Sequence, residues 1–364
     1  MPPRARLTSG LPSFLARALY GVLLPCLLAA CAAGGDAAPA APVAGDASGV
    51  YRAPVATPEG TAASSVPVPS TAVGTVSGHA EGAGGLADPR WMGLRERLRA
   101  DGVSDPRLDA WIDALGDPTQ SPMGRKMREL YRRDFLPKPP PTKKPRLYRG
   151  VVTAENAAAC RRFVEANRGA FERAETRYGV PASIAVSLLF VETRLGAVLA
   201  DVPENAFHTL ASMAVSRGID DISDWLVKMP GWEKHKDWFA RLMPRRAEWA
   251  YRETRALARV MLENDLPPER FPSSVYGAVG LCQFMPSNIP AYGVDGNGDG
   301  IVDLFQVDDA VMSLASYLAR HGWKGGVPRA RQHALLMTYN HADVYANTIL
   351  ALADLVAARP AQSP

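Results

Sequence analysis

Apolar residues recur at helical spacing from Trp91 almost to the end of the chain, and this periodicity limits what the chain can fold into. Trp91, Leu94 and Leu98 lie three and four residues apart, so they would share one face of a helix. The alternation of apolar and polar residues that is typical of strands is scarce. The sequence therefore predicts a mainly α-helical protein.

Glycine and proline indicate where several helices begin and end. Ala154 to Tyr178 is predicted to be one long helix that Gly179 ends, and Pro181 suits the first turn of the next helix. Two further helices are predicted near Lys234–Leu242 and Arg245–Glu263.

The first residues have the pattern of a secretion signal. Arg4 and Arg6 precede an apolar run from Ala18 to Ala30, which is too short to span a bilayer as a helix. The run ends in Leu-Ala-Ala-Cys, which resembles the lipobox of a bacterial lipoprotein, with residues 1–30 as the signal peptide and lipid on Cys31. The alternative is an ordinary signal peptide with a chance cysteine. Ala32, rather than aspartate, follows the cysteine, and this resembles the sorting signal for anchoring to the outer membrane on its periplasmic face.

The remaining chain divides into three predicted parts. Residues 31–88 are dominated by small residues and proline without periodicity, which predicts a disordered tether. Residues 89–146 form a smaller helical part that ends in a proline-rich stretch. We expect this stretch to cross the surface as a loop, with partner binding as the alternative. Residues 147–360 form the main helical domain.

Charge excludes one class of function. The formal net charge of +4 is small for 364 residues, and no segment resembles a basic recognition helix. The chain is therefore not predicted to bind nucleic acid.

The cysteines leave two alternatives open. If Cys26 leaves with the signal and Cys31 carries lipid, only Cys160 and Cys282 remain. An oxidising compartment would permit a disulfide between them, and two buried unpaired thiols are the alternative. Their spacing does not resemble a zinc site.

A single carboxylate, Glu192, stands at the end of a strongly apolar helical run. Burial disfavours the charged form of a carboxyl group and raises its pKa. A carboxyl group that is protonated near neutral pH can act as a general acid. The alternatives are that Glu192 pairs with Arg194 or faces solvent.

Two later segments have side chains that suit a sugar ligand. Residues 274–287 contain two glycines and a proline, which predict a tight turn, and Gln283 within it offers both donors and an acceptor. Tyr339 and Asn340 together could stack on a sugar face and hydrogen-bond its N-acetyl group, and Tyr345 follows five residues after Asn340.

Three segments in this order resemble the membrane-bound lytic murein transglycosylase B family: the run Glu192-Thr193-Arg194-Leu195-Gly196, the run Gly280 to Pro286 and the pair Tyr339-Asn340. The resemblance extends to Met123-Gly124-Arg125-Lys126 upstream and to Tyr317 before His321-Gly322-Trp323 downstream, so it covers roughly residues 90–357. It implies a mainly helical catalytic core like that of goose-type lysozyme, with a cleft, and it makes residues 147–360 the catalytic domain.

The resemblance also implies roles for single residues. Glu192 matches the family's catalytic glutamate, and Ser274 matches a serine that contacts substrate near it. The residues that match the lining of the saccharide groove are Gln283, Tyr317, Asn340 and Tyr345, with Tyr339 as a further substrate-binding residue. Cys282 departs from the family pattern, which usually has no thiol there.

The implied reaction is non-hydrolytic cleavage of the MurNAc-β-1,4-GlcNAc bond of peptidoglycan, which leaves 1,6-anhydromuramoyl ends and needs no cofactor. Glycan strands would be the partner, and wall-synthesis or division proteins are candidate partners. The alternatives are a hydrolytic muramidase, a peptidoglycan-binding lipoprotein without activity, or a scaffold that recruits other wall enzymes.

A loop rich in aspartate and glycine indicates calcium. Asp295, Asn297, Asp299 and Ile301 occupy the alternate ligand positions of an EF-hand-like loop, although Gln306 stands where a closing glutamate is expected. The resemblance implies a longer loop closed by Asp309. A structural Ca²⁺ is predicted, and a turn that needs no metal is the alternative.

Overall fold

A computed structural model describes residues 88–138 and 145–358. The predicted signal peptide, the lipidation site at Cys31 and the tether lie outside the described residues. So do residues 139–144, which form the centre of the proline-rich stretch.

The described residues form α-helices joined by turns and short 3₁₀ helices. The α-helices are α1 Pro89–Ala100, α2 Pro106–Asp113, α3 Ser121–Phe135, α4 Ala154–Ala166, α5 Arg168–Tyr178, α6 Ala182–Thr193, α7 Ala206–Val215, α8 Ser223–Leu226, α9 Lys236–Glu263, α10 Ile289–Tyr292, α11 Val307–Arg320, α12 Arg329–Tyr339 and α13 Asp343–Ala357. The 3₁₀ helices are Ala197–Asp201, Ile219–Ile222, Trp232–His235, Pro268–Arg270 and Pro286–Asn288. Within the described ranges β-structure is limited to isolated bridges, so the mainly α prediction is confirmed.

The first two helices begin in the same way. The side chains of Asp88 and Asp105 accept the N–H groups of Arg90 and Arg107, and a proline stands at the first helical position of each helix. An aspartate cap followed by proline satisfies or removes the N–H groups that have no partner within a helix. Helices α1 and α3 pack against α7, and α2 packs against α9.

The prediction of one helix from Ala154 to Tyr178 was wrong. Helix α4 ends at Ala166 and α5 begins at Arg168, with Asn167 between them at φ −122° and ψ 31°. The side-chain amide of Asn167 donates to the carbonyl oxygen of Phe163 at 2.8 Å. An asparagine that bonds to nearby backbone in this way competes with the helix, and periodicity alone does not reveal it.

In α9 the prediction was wrong in the opposite sense, because two predicted helices are one. Two helices were predicted near Lys234–Leu242 and Arg245–Glu263, but one helix runs from Lys236 to Glu263 with Pro244 inside it. Proline removes one helical hydrogen bond. The fully buried side chains of Met243 and Ala247 on either side pack into the core, and this packing holds the helix together across the proline.

Helix α6 lies at the centre of the bundle. Every residue from Ile184 to Thr193 is buried, and α4, α5, α11 and α13 pack around it. A helix that is apolar on all sides must be surrounded by others or by lipid. By length and composition the stretch Ala182–Ala200 could cross a membrane, but 56% of its window is buried inside the domain, as in the core helix of a globular protein.

Candidate active site

Glu192 lies in the last turn of α6, where it is 5% exposed. The hydroxyl of Tyr345 on α13 donates a hydrogen bond to Glu192 Oε1 at 2.5 Å. Burial raises the pKa of Glu192 to about 7, and the hydrogen bond from Tyr345 opposes this rise. An ion pair with Arg194 would have lowered the pKa, so a protonated carboxyl group near neutral pH is what this environment produces.

The chain turns sharply directly after Glu192. Arg194, Leu195 and Gly196 all have positive φ, at 53°, 61° and 93°. A Cβ atom on Gly196 would lie 2.8 Å from the Leu281 side chain, so a larger residue does not fit there. Non-glycine residues in this conformation are costly and persist where the surroundings impose them, which is typical of functional sites.

Thr193 joins the end of α6 to the turn at residues 274–287. Its hydroxyl donates to the carbonyl oxygen of Leu281 at 3.1 Å and accepts the N–H of Gly196 at 3.0 Å. The fully buried threonine therefore fixes the position of the neighbouring Glu192 relative to that turn.

The glycines of this turn are required by its geometry. A Cβ atom on Gly280, where φ is 76°, would lie 2.4 Å from Leu304 Cβ. Val279 and Phe284 exchange both backbone hydrogen bonds, at 2.8 and 3.0 Å, and so close the turn. Gln283 then takes a positive φ of 52°, a second sign of local backbone strain next to the predicted site.

Two amide side chains in this region lack partners inside the protein. Gln283 donates from Nε2 to the carbonyl oxygen of Gly280 at 3.0 Å, but its buried Oε1 accepts nothing within the described chain. Asn340 is 1% exposed, and neither Oδ1 nor Nδ2 has a partner there. Leaving a buried polar atom unpaired costs about 1–3 kcal/mol, so such atoms indicate a ligand that would pair with them.

Tyrosines form one wall of a small pocket that Gln283 lines; Asn340, next to Tyr339 in the chain, is not among its lining residues. Tyr317 and Tyr339 contact each other edge to face at 4.8 Å between ring centroids, and Tyr339 stacks on Tyr345 at 6.4 Å. The pocket has a volume of about 70 Å³, which suits a substituent such as an acetamido group rather than a whole sugar ring. Its lining residues are Ala278, Gln283, Phe284, Met285, Asn288, Tyr317 and Tyr339.

Three of the predicted substrate-binding residues, Gln283, Tyr317 and Tyr339, therefore meet in one pocket. Tyr345 connects that pocket to Glu192. Ser274 does not line the pocket, because its hydroxyl accepts the N–H of Ala278 at 3.1 Å and so supports the turn from within.

Glu253 and Ser287 lie near the site but are not among the residues predicted from the sequence. Glu253 lies on the buried face of α9 and accepts two hydrogen bonds from Ser287, one residue beyond the proline of the turn. A glutamate at helical spacing from Ala250 and Leu257, both fully buried, was the available signal.

A larger hollow elsewhere contains none of the predicted site residues. It has a volume of about 470 Å³ and is open to solvent between α5 and α11, with Arg173 and Met312 among its lining residues. The chemistry is better placed at Glu192, because its buried carboxyl group bonds to Tyr345, and Tyr345 stacks on Tyr339 in the wall of the small pocket.

The two remaining cysteines are unpaired. Cys160 and Cys282 are both free and buried, so of the two alternatives the structure has the separate thiols. Burial raises the pKa of each thiol to about 12, which keeps both protonated and unreactive. The carbonyl oxygen of Cys282 accepts a hydrogen bond from the hydroxyl of Tyr339.

The loop predicted to bind calcium is folded around its own side chains. Asp295 accepts the N–H groups of Gly298 at 2.6 Å and of Gly300 at 2.8 Å. Asp299 accepts the N–H of Ile301 at 2.8 Å. Hydrogen bonds of this kind hold the loop in place and leave the second lone pair of each oxygen free for a cation.

Asp309 is fully buried behind the loop and accepts the N–H groups of Gly296 and Asp303 at 2.8 and 2.7 Å. Burial, together with the weaker effect of the charges of Asp295 and Asp299, raises its pKa to about 6, and the two backbone hydrogen bonds oppose this rise. Across residues 88–138 and 145–358, however, no three Asp, Glu, His or Cys side chains converge as ligands of one metal ion. The loop thus has the predicted order of oxygen atoms without a preformed calcium cage.

Comparison with known proteins relates this arrangement to one family. The family model described as Transglycosylase SLT domain matches residues 87–335, which include Glu192 and Gln283 but not Tyr339, Asn340 or Tyr345. A curated relative, the membrane-bound lytic murein transglycosylase B of Escherichia coli strain K12, is 30% identical over 175 residues. That match covers 48% of this chain and spans 41% of the relative's length.

Solved structures share the fold. The lytic transglycosylase Slt35 of Escherichia coli in complex with calcium is 21% identical with a TM-score of 0.52, covering 74% of this chain and 93% of that one. SltB3 of Pseudomonas aeruginosa in complex with NAG-anhNAM-pentapeptide is 18% identical with a TM-score of 0.55, covering 75% and 79%. These similarities confirm the predicted lysozyme-like helical architecture and the resemblance to lytic transglycosylases. The chain belongs to the family of proteins that contain the Transglycosylase SLT domain.

Proposed function

We propose that this protein is a peptidoglycan lytic transglycosylase in which Glu192 is both the acid and the base. The observation that carries the proposal is the environment of Glu192, since burial raises its pKa to about 7 and Tyr345 holds its Oε1. Near neutral pH the group can therefore give up a proton and take one back within the same catalytic cycle.

One carboxyl group is sufficient for this reaction. The proton of Glu192 goes to the glycosidic oxygen, and the bond from that oxygen to C1 of the muramoyl residue breaks. The ionised Glu192 then takes the proton of the C6 hydroxyl of the same sugar, while the C6 oxygen forms the new bond to C1. Because the nucleophile belongs to the substrate, its effective concentration can exceed that of water.

The other buried carboxylates of the described chain are already occupied. Glu253 accepts two hydrogen bonds from Ser287, Asp303 pairs with Arg270 at 2.8 Å, and Asp309 accepts two backbone N–H groups. Glycosidases that hydrolyse their substrate usually need a second free carboxylate as base or nucleophile. This favours the single-carboxyl mechanism over a hydrolytic muramidase.

The unpaired amides provide recognition of N-acetyl groups. An acetamido substituent offers one N–H and one carbonyl oxygen, which complement Asn340 Oδ1 and Nδ2. Gln283 Oε1 can accept from a sugar hydroxyl or amide. Tyr317 and Tyr339, in the wall of the pocket, offer aromatic surface to the sugar that carries this substituent.

Product analysis tests the proposal. Purified sacculi digested with the wild-type protein should release muropeptides with 1,6-anhydromuramoyl ends, which mass spectrometry distinguishes from reducing ends by the mass of one water. Reducing ends would identify a hydrolytic muramidase. Binding to sacculi with no release of products would identify a binding lipoprotein without activity.

The sequence of the N-terminus supports a proposal for the place of action. Relatives of this family act in the cell envelope, and we propose anchoring to the periplasmic face of the outer membrane through lipid on Cys31. Labelled palmitate should enter the wild-type protein but not Cys31→Ala, and the variant should leave the membrane fraction. Labelling of both proteins alike would contradict the anchor. Contacts with wall-synthesis or division proteins stay a prediction.

Calcium at residues 295–309 is a separate proposal. Burial, and to a smaller extent the charges of Asp295 and Asp299, raises the pKa of Asp309, and a bound cation would offset the repulsion among these carboxylates. Calorimetric titration of chelator-treated protein with calcium chloride should give heat and raise the melting temperature, and Asp299→Asn should weaken both effects. No heat and no thermal shift would leave a turn that needs no metal. The reaction itself needs no cofactor.

A further inference from the structure

Glu253 is a second buried glutamate, and the mechanism above does not use it. Its side chain is 5% exposed on the inner face of α9. Burial raises its pKa, against which the hydrogen bonds from Ser287 act. Keeping a carboxyl group in such a place is costly, and a residue that only filled space could be apolar.

Both oxygens of Glu253 hold Ser287. The Ser287 N–H donates to Oε2 at 2.9 Å, and its hydroxyl donates to Oε1 at 2.9 Å. Ser287 is the second residue of the 3₁₀ helix Pro286–Asn288, where a backbone N–H has no partner within the helix. Glu253, on a helix far away in the sequence, thus caps this short 3₁₀ helix.

The capped segment forms one wall of the pocket beside the active site. Met285 and Asn288, on either side of Ser287, both line the pocket that contains Gln283 and Tyr339. The backbone N–H of Asn288 donates to the carbonyl oxygen of Met285 at 2.8 Å and so joins the two ends of the segment. The side-chain amide of Asn288 makes no hydrogen bond to other described residues and is free to meet a ligand.

We propose that Glu253 is a positioning residue, which through Ser287 sets the wall of the saccharide pocket, and that Asn288 on this wall contacts the bound glycan. The inference rests on the proposed function, because it takes the ligand of the pocket to be a GlcNAc–MurNAc strand. Glu253 acts on glycan binding through the position of the wall and takes no part in proton transfer.

Two substitutions at Glu253 separate its effect on the position of the pocket wall from its effect on the stability of the protein. Glu253→Gln keeps an oxygen for the Ser287 N–H, and its new N–H₂ group can donate to the Ser287 hydroxyl, so the wall stays in place. Glu253→Ala removes both acceptors. Ser287 faces solvent and water can take over its hydrogen bonds, while one buried carboxyl group is lost, so we expect the alanine variant to remain folded.

The experiment measures binding without turnover. In a Glu192→Gln background, calorimetry with a purified GlcNAc–MurNAc tetrasaccharide gives Kd for each variant. Glu253→Ala and Asn288→Ala should each raise Kd by about 3–10-fold, which corresponds to the loss of one ordinary hydrogen bond. Glu253→Gln should stay within about 2-fold, as should the control Glu263→Ala, an exposed glutamate on the same helix.

Turnover provides the second readout. With Glu192 intact, Glu253→Ala should raise KM for soluble glycan strands and leave kcat and its pH dependence nearly unchanged. Glutamine restores the wild-type KM if the role is positioning. A folded Glu253→Ala variant with unchanged Kd and KM overturns the inference, and so does a glutamine variant as defective as the alanine variant. Wild-type protein that releases no anhydro products defeats the proposed function instead, and the Kd series still decides whether Glu253 sets the pocket.

Discussion

The hydroxyl of Tyr345 donates to Oε1 of Glu192 at 2.5 Å, and this hydrogen bond lowers the pKa of Glu192 against the effect of its burial. The tyrosine is itself fully buried, and burial together with the nearby carboxylate raises its pKa well above the usual range. Tyr345 therefore remains a donor near neutral pH, where Glu192 changes between its two forms.

Replacing Glu192 by glutamine should abolish strand cleavage. Glutamine has nearly the same shape but carries no proton that it can give to a leaving oxygen. We expect a loss of about 10²–10⁴-fold in the rate of release of anhydromuropeptides from sacculi. Glu263→Gln, a change of the same kind on the exposed face of α9, should cleave at the wild-type rate. A Glu192→Gln variant with wild-type activity would disprove the assigned role.

Replacing Tyr345 by phenylalanine should move the pH profile upward. The lost hydrogen bond stabilised the ionised form of Glu192, so the pKa of Glu192 should rise further above its value of about 7. Since the acid must be protonated to act, the decline of kcat/KM at alkaline pH should shift to higher pH. The profile is measured on soluble glycan strands, and an unshifted alkaline limb would mean that Tyr345 does not act on Glu192.

The same carboxyl group should make stability depend on pH. The pKa of Glu192 is about 7 in the folded chain and 4.5 in the reference state, so the folded protein binds this proton more tightly. The resulting stabilisation is complete below pH 4.5 and is lost as the pH rises through about 7. Above that pH the buried charge costs on the order of 3 kcal/mol relative to acid conditions.

Denaturant unfolding of wild type and Glu192→Gln across this range measures the effect. Glutamine does not ionise, so its advantage in unfolding free energy over the wild type should grow between pH 5 and pH 8 by about that amount. A difference that is constant with pH would show that the pKa of Glu192 is the same in the folded and unfolded chain.

Asn340 should show a conflict between stability and binding. Its side chain is 1% exposed and both amide atoms are unpaired, so Asn340→Leu removes two unsatisfied groups and fills similar space. We expect the melting temperature to stay equal or rise, while Kd for a GlcNAc–MurNAc tetrasaccharide rises by about 10-fold or more. If the variant instead loses stability and keeps its affinity, the asparagine serves the fold.

Gly280 should tolerate no side chain. An added Cβ atom would stand 2.4 Å from Leu304 Cβ and 2.6 Å from the Leu304 carbonyl oxygen, at a positive φ of 76°. Gly150 has nearly the same φ, 73°, but open space around it. Gly150→Ala should therefore cost about 1 kcal/mol for backbone strain alone, whereas Gly280→Ala should cost several times more and reduce cleavage. Equal losses of unfolding free energy would mean that the turn can move away from Leu304.

Local sequence patterns were sufficient to predict much of this site. A glutamate at the end of an apolar run must be buried if the run is a core helix, and Glu192 is buried. Two glycines and a proline in one short segment predicted a tight turn, and the glycines at 277 and 280 both have positive φ. These features depend on neighbours along the chain, which periodicity and residue type reveal.

Features that depend on contacts between segments far apart in the sequence could not be predicted. Glu253 and Ser287 are 34 residues apart, and nothing near either residue indicates the other. The break at Asn167 depends on one side chain that prefers its own backbone, and the survival of α9 through Pro244 depends on packing against other helices. Whether the side chains of the calcium loop converge on one point also depends on the folded structure. The alternating oxygen-bearing residues set the order of the ligands along the chain and not their positions in space.

The hydrogen bond from Thr193 to Leu281 has a consequence for how such proteins can vary. It fastens the segment that follows the acid to the segment that carries Gln283, with glycines at both places that leave no room for larger residues. Insertions or deletions in either segment would move the acid away from the amides, so we expect changes in length to occur in loops elsewhere on the bundle. We therefore expect differences in substrate preference among proteins of this kind to arise from residues that surround these two segments. The number of residues within each segment should stay constant.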